Sequence, residues 1–221
     1  MLLAFDIAAD AIAEHDDWHS HEHMPERLSI PGFLRGSRWI ACSGTPRYFV
    51  MYEVQSLAVL ASAPYLERLD NPTPWTAKMM RSYVGMRRAL CDVAASFGAG
   101  IGGSALLIRF APGEGRSAAL HGWLAGEVLP RLAGRPGIAG AHLFAASLAA
   151  PMTREQQIRG RDAGLASAVL VTGYDGDAVA ALAGDELGAE RFAAHGAPAA
   201  DRAGGSYRLA YSLTAAEAAG R

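Results

Sequence analysis

The sequence predicts an α+β fold built from two copies of one β-α-β-β-α-β unit. A shift of 105 residues repeats the pattern W-x3-E-x2-P-x5-P-G, which starts at Trp18 and again at Trp123. Apolar runs of strand length and helical stretches follow the same order in both halves. With 221 residues, of which 51% are hydrophobic, the chain can bury a core between two such units.

The first copy contains four predicted strands and two predicted helices. Asp10 is the predicted N-cap of the first helix, which ends before the Pro31-Gly32 turn. Ser56 is the predicted N-cap of the second helix, and the NPTPWT segment after it is a predicted loop. In chain order we expect a strand at 2–8, a helix at 10–28, a hairpin of strands at 33–43 and 47–54, a helix at 56–70 and a strand within 86–97.

The second copy repeats this order with one insertion. Its third strand aligns with that of the first copy at an offset of 122, through Tyr174-Asp175 and Tyr52-Glu53. The extra hairpin residues, 149–165, are polar, so we place them on the surface. The elements are strands at 104–112, 138–148, 167–174 and 206–214, with helices at 117–132 and 175–187.

Four segments follow from this alignment. Gly98, Gly100 and Gly103 spell G-x-G-x-x-G, but a strand and not a helix comes next, so the glycines indicate a linker and not a dinucleotide site. The residues after Ala215 are predicted to fray. The division is therefore 1–98 for the first repeat, 99–103 for the linker, 104–215 for the second repeat with its insert at 149–165, and 216–221 for the tail.

Each unit has the order of a ferredoxin-like fold, with four antiparallel strands and both helices on one face. The other face of each sheet also needs cover, because the strands are apolar on more than one side. Two tandem units can pack sheet to sheet, as an intrachain α/β barrel. We expect a small ligand in a cavity between the two sheets.

Composition excludes several function classes. A formal charge of −2 and a pI near 6.4 predict no nucleic-acid partner and no attraction to an anionic membrane. The start of the chain has no basic segment typical of a signal peptide, and no apolar run reaches the length of a membrane span. Cys42 and Cys91 are predicted to be buried free thiols of a soluble cytoplasmic protein.

The residues W18-x3-E22-H23-x-P25-E26-R27, followed by P31-G32-F33, resemble the dimeric α/β-barrel superfamily and most of all its EthD-like members. The resemblance implies a ferredoxin-like fold that is normally one unit per chain, here fused as a pair. That superfamily contains cofactor-free monooxygenases, isomerases, haem enzymes and plain binding proteins. The helix histidine of the family corresponds to His23, whereas the second copy has Val128 there.

Four histidines lie within nine residues of the first helix, and three of them, His15, His19 and His23, fall on one helical face. The favoured interpretation is a solvated polar face. The alternatives are a ligand-facing His23 or a metal site, although no H-E-x-x-H or C-x-x-C motif supplies further ligands.

Glu22 recurs as Glu127 beside the repeated tryptophan, which favours a structural bond to a strand arginine such as Arg38, Arg88 or Arg208. The alternative is an acid/base pair of Glu22 with His23. The candidate catalytic residues are therefore His23, Glu22 and Arg38, and the candidate ligand-binding residues are Tyr48, Tyr52, Trp39 and Trp75.

The leading functional hypothesis is a protein that binds a small organic molecule between the sheets, with any activity being cofactor-free and of the degradative, oxygenase or isomerase type. We predict no cofactor and no metal. A haem enzyme is an alternative, with His195 as the axial candidate in the second copy. A third hypothesis is a non-enzymatic assembly protein, and a homodimer is compatible with each of the three.

Overall fold

The computed structural model describes residues 1–42, 44, 46–148, 153–160 and 162–220. These residues form an α+β fold around a closed, eight-stranded antiparallel barrel, so the α+β part of the predicted fold class is confirmed. The strands are β1 (Leu2–Ile7), β2 (Phe33–Ala41), β3 (Tyr48–Val54), β4 (Tyr83–Gly98), β5 (Ser104–Phe110), β6 (Ile138–Leu148), β7 (Ser167–Gly173) and β8 (Arg202–Thr214).

The strands follow the order β1-β3-β2-β8-β5-β7-β6-β4 around the barrel, which closes between β4 and β1. The four strands of each half are therefore consecutive around the barrel, in the order β4-β1-β3-β2 for the first half and β8-β5-β7-β6 for the second. The halves join through the antiparallel pairs β2–β8 and β4–β6. Closure leaves no free sheet edge within the barrel.

Helices follow the strands in both halves. The helix after β1 consists of α1 (Ile12–Trp18), a π-helical segment (His19–His23) and α2 (Met24–Leu28). The helix after β5 has the same three parts: α5 (Ser117–Trp123), a π-helical segment (Leu124–Val128) and α6 (Leu129–Ala133). The remaining α-helices are α3 (Ala63–Asp70), α4 (Pro74–Met79), α7 (Arg154–Arg159), α8 (Gly176–Ala181), α9 (Ala189–Ala194) and α10 (Ala215–Ala219).

Several local predictions were wrong. Asp10 and Ser56 cap nothing through their side chains, and short 3-10 turns (Ala9–Ala11 and Leu57–Ala61) stand where the helices were expected to begin. The NPTPWT segment is not all loop, because Thr73 accepts a hydrogen bond from the Thr76 N–H and starts α4. The tail forms α10, since Thr214 and Glu217 make a reciprocal capping box.

Strand pairing also corrects the alignment of the two halves. Phe5 pairs with Tyr48, 43 residues later, whereas Phe110 pairs with Ser167, 57 residues later. The second hairpin thus carries 14 extra residues, and its third strand lies at an offset of 119. The predicted match of Tyr52 with Tyr174 fails because Tyr174 lies beyond β7 and is 74% exposed.

The predicted insert at 149–165 includes residues 149–152 and 161, which lie outside the described residues. Its described part is not a surface excursion, because α7 packs against the first half of the chain. Glu155 and Gln156 are buried there. Cys42 and Cys91 are free as predicted, but Cys42 is exposed and Cys91 is only partly buried.

The three largest apolar clusters of the described residues lie inside and outside the barrel, because successive strand residues point to opposite faces. The barrel interior is filled by side chains such as Trp39, Phe49, Leu107, Leu170 and Tyr207. A second core lies between the first-half helices and the outer face of their sheet, and a third occupies the same layer of the second half. No helix among the described residues is long and apolar enough to cross a membrane.

Candidate functional site

Three histidines of the first helix point inward. His15, His19 and His23 are 0%, 2% and 8% exposed, whereas His21 is exposed. The predicted solvated face is therefore wrong for three of the four. The ring centroids of His15 and His19 lie 5.5 Å apart, as do those of His19 and His23. The stack runs from α1 into the π-helical segment, which begins at His19 and ends at His23.

The histidines lie opposite polar and aromatic side chains of the sheet. Arg38 on β2 donates to the Asp16 carbonyl at 3.0 Å and to the Ser20 hydroxyl at 3.1 Å. The Tyr48 ring lies 4.7 Å from that of His15, measured between centroids. We call the whole group the inner polar cluster; its members are His15, His19, His23, Arg27, Arg38, Tyr48, Tyr52, Tyr83, Glu155 and Arg159.

The cluster is covered by α7, which belongs to the second half of the chain. Glu155 accepts a hydrogen bond from Arg27, and the two side chains are 3% and 2% exposed. Arg159 donates to Asp162 at 2.7 and 2.9 Å and lies 3.9 Å from Glu155. Its guanidinium is near enough to His23 to act on the imidazole electrostatically. The cluster is thus assembled from both halves.

Burial dominates the electrostatics of the cluster. It lowers the pKa of His19 and of His23 well below the usual histidine range, and the positive charge of Arg27 lowers both further. Burial also raises the pKa of the Tyr52 phenol. At neutral pH the imidazoles are neutral and the phenol is protonated, so the cluster presents uncharged proton acceptors and donors beside guanidinium cations.

Several of these polar atoms have no partner in the described part of the chain. Nδ1 of His19, Nδ1 of His23 and the Tyr52 hydroxyl are buried without a hydrogen bond. A buried polar atom without a partner costs about 1–3 kcal/mol, and such atoms are few in folded proteins. His15, Arg27 and Arg38 of the cluster also carry buried atoms without a hydrogen-bond partner among the described residues, so the cluster offers several groups that can bond another molecule.

The buried histidines predict a stability that falls in acid. Below pH 6.5 the unfolded chain takes up protons on His19 and His23, whereas the folded chain does not, because both pKa values are lowered in it. Each histidine should remove up to about 1.4 kcal/mol of unfolding free energy per pH unit as the pH falls from about 6.5. Urea unfolding at pH 8, 7, 6 and 5 measures the slope. It should flatten in the double variant His19→Leu/His23→Val, and an equal slope in both proteins would contradict the neutral imidazoles.

The second half has an apolar interior at the matching positions. Residues 105 further along the chain from His15, His19, His23 and Arg27 are Leu120, Leu124, Val128 and Leu132, all 0–1% exposed. Leu143, buried in the same layer, replaces Arg38. The fold therefore does not require polar residues at these positions, and the first half carries them for another reason.

Glu22 joins two helices and does not reach the strand arginines expected as its partners. Its Oε1 accepts hydrogen bonds from Thr73 Oγ1 at 2.5 Å, Trp18 Nε1 at 3.2 Å and Thr76 Oγ1 at 3.2 Å. The carboxylate thus ties the first helix to α4. The geometry favours the structural alternative over an acid/base pair with His23.

Glu22→Ala is therefore expected to lower the free energy of unfolding by about 1–3 kcal/mol, since three buried or part-buried donors lose their acceptor. Glu127→Ala is the matched control, because Glu127 occupies the repeated position and is exposed. It should change stability by less than about 0.5 kcal/mol. Equal effects of the two substitutions, measured by urea unfolding, would show that Glu22 is not the tie.

The two predicted tryptophans lie apart from the cluster. Trp39 faces the barrel interior, on the opposite side of the sheet from Arg38. Trp75, on α4, donates to Glu14 at 3.1 Å and packs against Trp18, Met79 and Met80. Neither ring is therefore a member of the inner polar cluster.

The histidine considered as an axial haem ligand is engaged elsewhere. The His195 ring stacks on Trp123 with 3.8 Å between centroids, and its Nδ1 bonds the Arg191 carbonyl at 2.8 Å. Within the described residues, no three His, Cys, Asp or Glu side chains are arranged to hold a metal ion. The geometry thus gives the haem alternative no support.

Among the described residues the middle of the barrel is packed, and cavities lie towards its ends. At one end is a cavity of about 360 Å³ lined by polar and apolar side chains. Thr172, which is 2% exposed, lines it with a hydroxyl that has no hydrogen-bond partner among the described residues. The other lining residues include Arg35, Glu53, Ser96, His142 and Phe144.

The structure therefore brings His23, Arg38, Tyr48 and Tyr52 together as predicted site residues. His15 and His19 were expected on a solvated face or at a metal site, and no site role was expected from the sequence for Arg27, Tyr83, Glu155 and Arg159. The burial of the first-helix residues could have been predicted by comparing the two copies, because a solvated helix face would carry polar residues in both. The contribution of α7 had no counterpart in the first copy and gave no such signal.

The sequence matches no protein-family model and no curated protein. Solved structures are similar in fold across nearly the whole chain. An anthrone oxidase-like protein is 11% identical with a TM-score of 0.66, covering 98% of this chain and 92% of its own. A candidate monooxygenase from Fusobacterium nucleatum is 6% identical with a TM-score of 0.60, covering 96% and 92%. A candidate monooxygenase from Lactobacillus acidophilus is 9% identical with a TM-score of 0.57, covering 97% and 94%.

Proposed function

We propose that the chain is a cofactor-free oxygenase whose active site is the inner polar cluster of its first half. The observation that carries the proposal is the contrast between the halves, in which matching buried positions hold histidine and arginine in one and leucine and valine in the other. Polar residues that the fold does not require, and that are only partly satisfied, are typical of functional sites. The similar solved structures support the reaction class.

The chemistry of the cluster suits removal of a proton from a weakly acidic carbon. Nδ1 of His23 is neutral, buried and unpaired, so it can accept a proton. The guanidinium groups of Arg27 and Arg159 lie close enough to lower the pKa of that imidazole. The same positive field stabilises a carbanion or phenolate formed beside them. A base next to fixed cations is the arrangement that such a deprotonation needs.

The proposed substrate is a small aromatic molecule with an activated methylene, a class that includes anthrones. His23 accepts one proton from the methylene carbon, and the carbanion gives an electron to dioxygen. The carbon radical and superoxide then combine through a C–O bond, and the histidinium returns its proton to form a hydroperoxide. Loss of water breaks the O–O bond, so that one methylene compound and one dioxygen become one ketone and one water.

We also propose that the chain is a fused pair of ferredoxin-like units of the EthD-like type. The grouping of each half's strands in the barrel and the two π-helical segments, spaced 105 residues apart, support this origin. In this proposal one half keeps the site and the other contributes α7 as its cover. The small-molecule site then lies between helix and sheet, in place of the space between the sheets expected from the sequence.

The test supplies anthrone and air-saturated buffer to the purified protein, without added metal or flavin, and measures dioxygen uptake and anthraquinone formation. We expect one dioxygen per anthrone at a rate well above that of buffer. His19→Leu/His23→Val, which installs the second-half residues, should abolish the excess. His142→Leu, at the end of the barrel, should not. Loss of turnover in His142→Leu alone would place the reaction between the sheets and overturn the proposal.

A further inference from the structure

Besides the cavity lined by His142, the barrel has a cleft of about 350 Å³ whose lining is cationic. Arg87 on β4 and Arg109 on β5 both line it. Because strand residues alternate between faces, Arg87 is turned to the barrel while Arg88 bonds Tyr65 on the helix side at 2.9 Å. The cleft and the inner polar cluster therefore lie on opposite faces of the sheet.

Two of the cations in the cleft have no counter-ion among the described residues. Arg87 and Arg109 make no ion pair and no side-chain hydrogen bond with the described part of the protein, although Arg109 is partly buried. Burial lowers the pKa of Arg109; Tyr207 opposes this shift, and the nearby charge of Arg87 adds to it. A third arginine, Arg202, differs because it donates to the Leu187 carbonyl and lies over the Phe192 ring.

The rest of the cleft limits what could neutralise this pair. Its walls are largely apolar or small, and the exposed carboxylate of Asp201 stands at its edge without pairing with either arginine. A ligand with two negative charges would be repelled by the Asp201 carboxylate. A ligand with a single carboxylate can instead form two parallel hydrogen bonds with a guanidinium group. The apolar lining consists of Phe110, Ala111, Leu165, Ala166, Ala200 and Ala203.

We infer that this cleft binds the carboxylate of a small organic acid, with Arg87 and Arg109 on the carboxylate and Leu165 and Ala166 against its apolar body. The site is separate from the proposed active site, and the inference does not depend on the oxygenase proposal. Arg109 is partly desolvated, and a carboxylate would supply the charged acceptor that neither arginine has among the described residues.

The experiment is calorimetric titration of the full chain with benzoate and with benzamide at constant ionic strength. Benzoate should bind at least tenfold more tightly than benzamide. Arg109→Leu should lower benzoate affinity at least tenfold, whereas Arg131→Leu, an exposed arginine on α6, should change it less than twofold. His19→Leu/His23→Val should also keep the affinity, which separates this cleft from the inner polar cluster.

Absence of benzoate binding, equal binding of benzamide, or unchanged affinity in Arg109→Leu would overturn the inference. So would loss of affinity only in the histidine variant. Arg109→Leu removes a partly buried cation and should not lower the melting temperature of the empty protein. If it fails to fold, Arg87→Leu at an exposed position carries the same test, again with a loss of at least tenfold expected.

Discussion

Replacing His23 by alanine is expected to lower kcat for anthrone oxygenation by a factor of about 10² to 10⁴, the usual contribution of a positioned general base. The reason is that Nδ1 of His23 is buried, unpaired and neutral at the working pH. KM should change much less, because arginines and tyrosines of the cluster still hold the substrate. Initial rates of dioxygen uptake over a range of anthrone concentrations separate the two constants.

His21→Ala is the matched control, since His21 lies on the same helix but is exposed and bonds only the Asp17 carbonyl. Its kcat should stay within a factor of two of the parent protein. Added imidazole should partly restore turnover in His23→Ala by entering the space left by the ring. A His23→Ala enzyme with unchanged kcat would remove this residue from the chemistry.

Glu155→Ala is expected to lower the free energy of unfolding by about 3–5 kcal/mol, because it leaves the buried charge of Arg27 without its main partner. The neighbouring Glu26 carboxylate lies 3.7 Å from Arg27 and can compensate only in part. The measurement is urea unfolding at pH 7.5. The more exposed pair of Arg135 and Glu186 provides the control, and Glu186→Ala should cost less than about 1 kcal/mol.

Removing both charges should restore the loss. Arg27→Leu installs the residue found at the matching position of the second half, Leu132, and Arg27→Leu/Glu155→Leu should be within about 1 kcal/mol of the parent protein or more stable. If Glu155→Ala unfolds like Glu186→Ala, the cover formed by α7 is not held by this pair.

The frame of the fold was readable from the sequence because it repeats. The tryptophan, glutamate and Pro-Gly positions of Trp18, Glu22 and Pro31-Gly32 recur 105 residues later, and both helices share the π-helical segment at that spacing. Apolar strands that need cover on two faces then favour a barrel. The α+β class and the closed arrangement of eight strands follow from such patterns.

The face of the first helix was misassigned for a physical reason. A helix outside a sheet normally turns polar residues to water, so histidines four apart suggested a solvated face. The leucines and valine at the matching second-half positions show that this face is the buried one. Comparison of the two copies, and not the composition of one, carries that information.

The insert was wrongly predicted to lie on the surface, because polar residues can also be buried where they pair with other charged side chains. Glu155 and Arg159 are buried because Arg27 and Asp162 pair with them, and those partners are distant in the sequence or outside any repeat. The alignment of Tyr52 with Tyr174 was wrong because it was based on a coincidental match of two tyrosines. The correct offset follows from the pairing of the strands, which is seen only in the folded barrel.

The measurement that tests the central claim most directly is a crystal structure of the protein with anthraquinone, the product of the proposed reaction. We predict that it lies between the first helix and its sheet, with a carbonyl oxygen within about 2.6–3.2 Å of His23 or the Tyr52 hydroxyl. Product bound instead only in the barrel-end cavity lined by Arg35, Glu53 and His142, with the inner polar cluster unchanged, would contradict the claim.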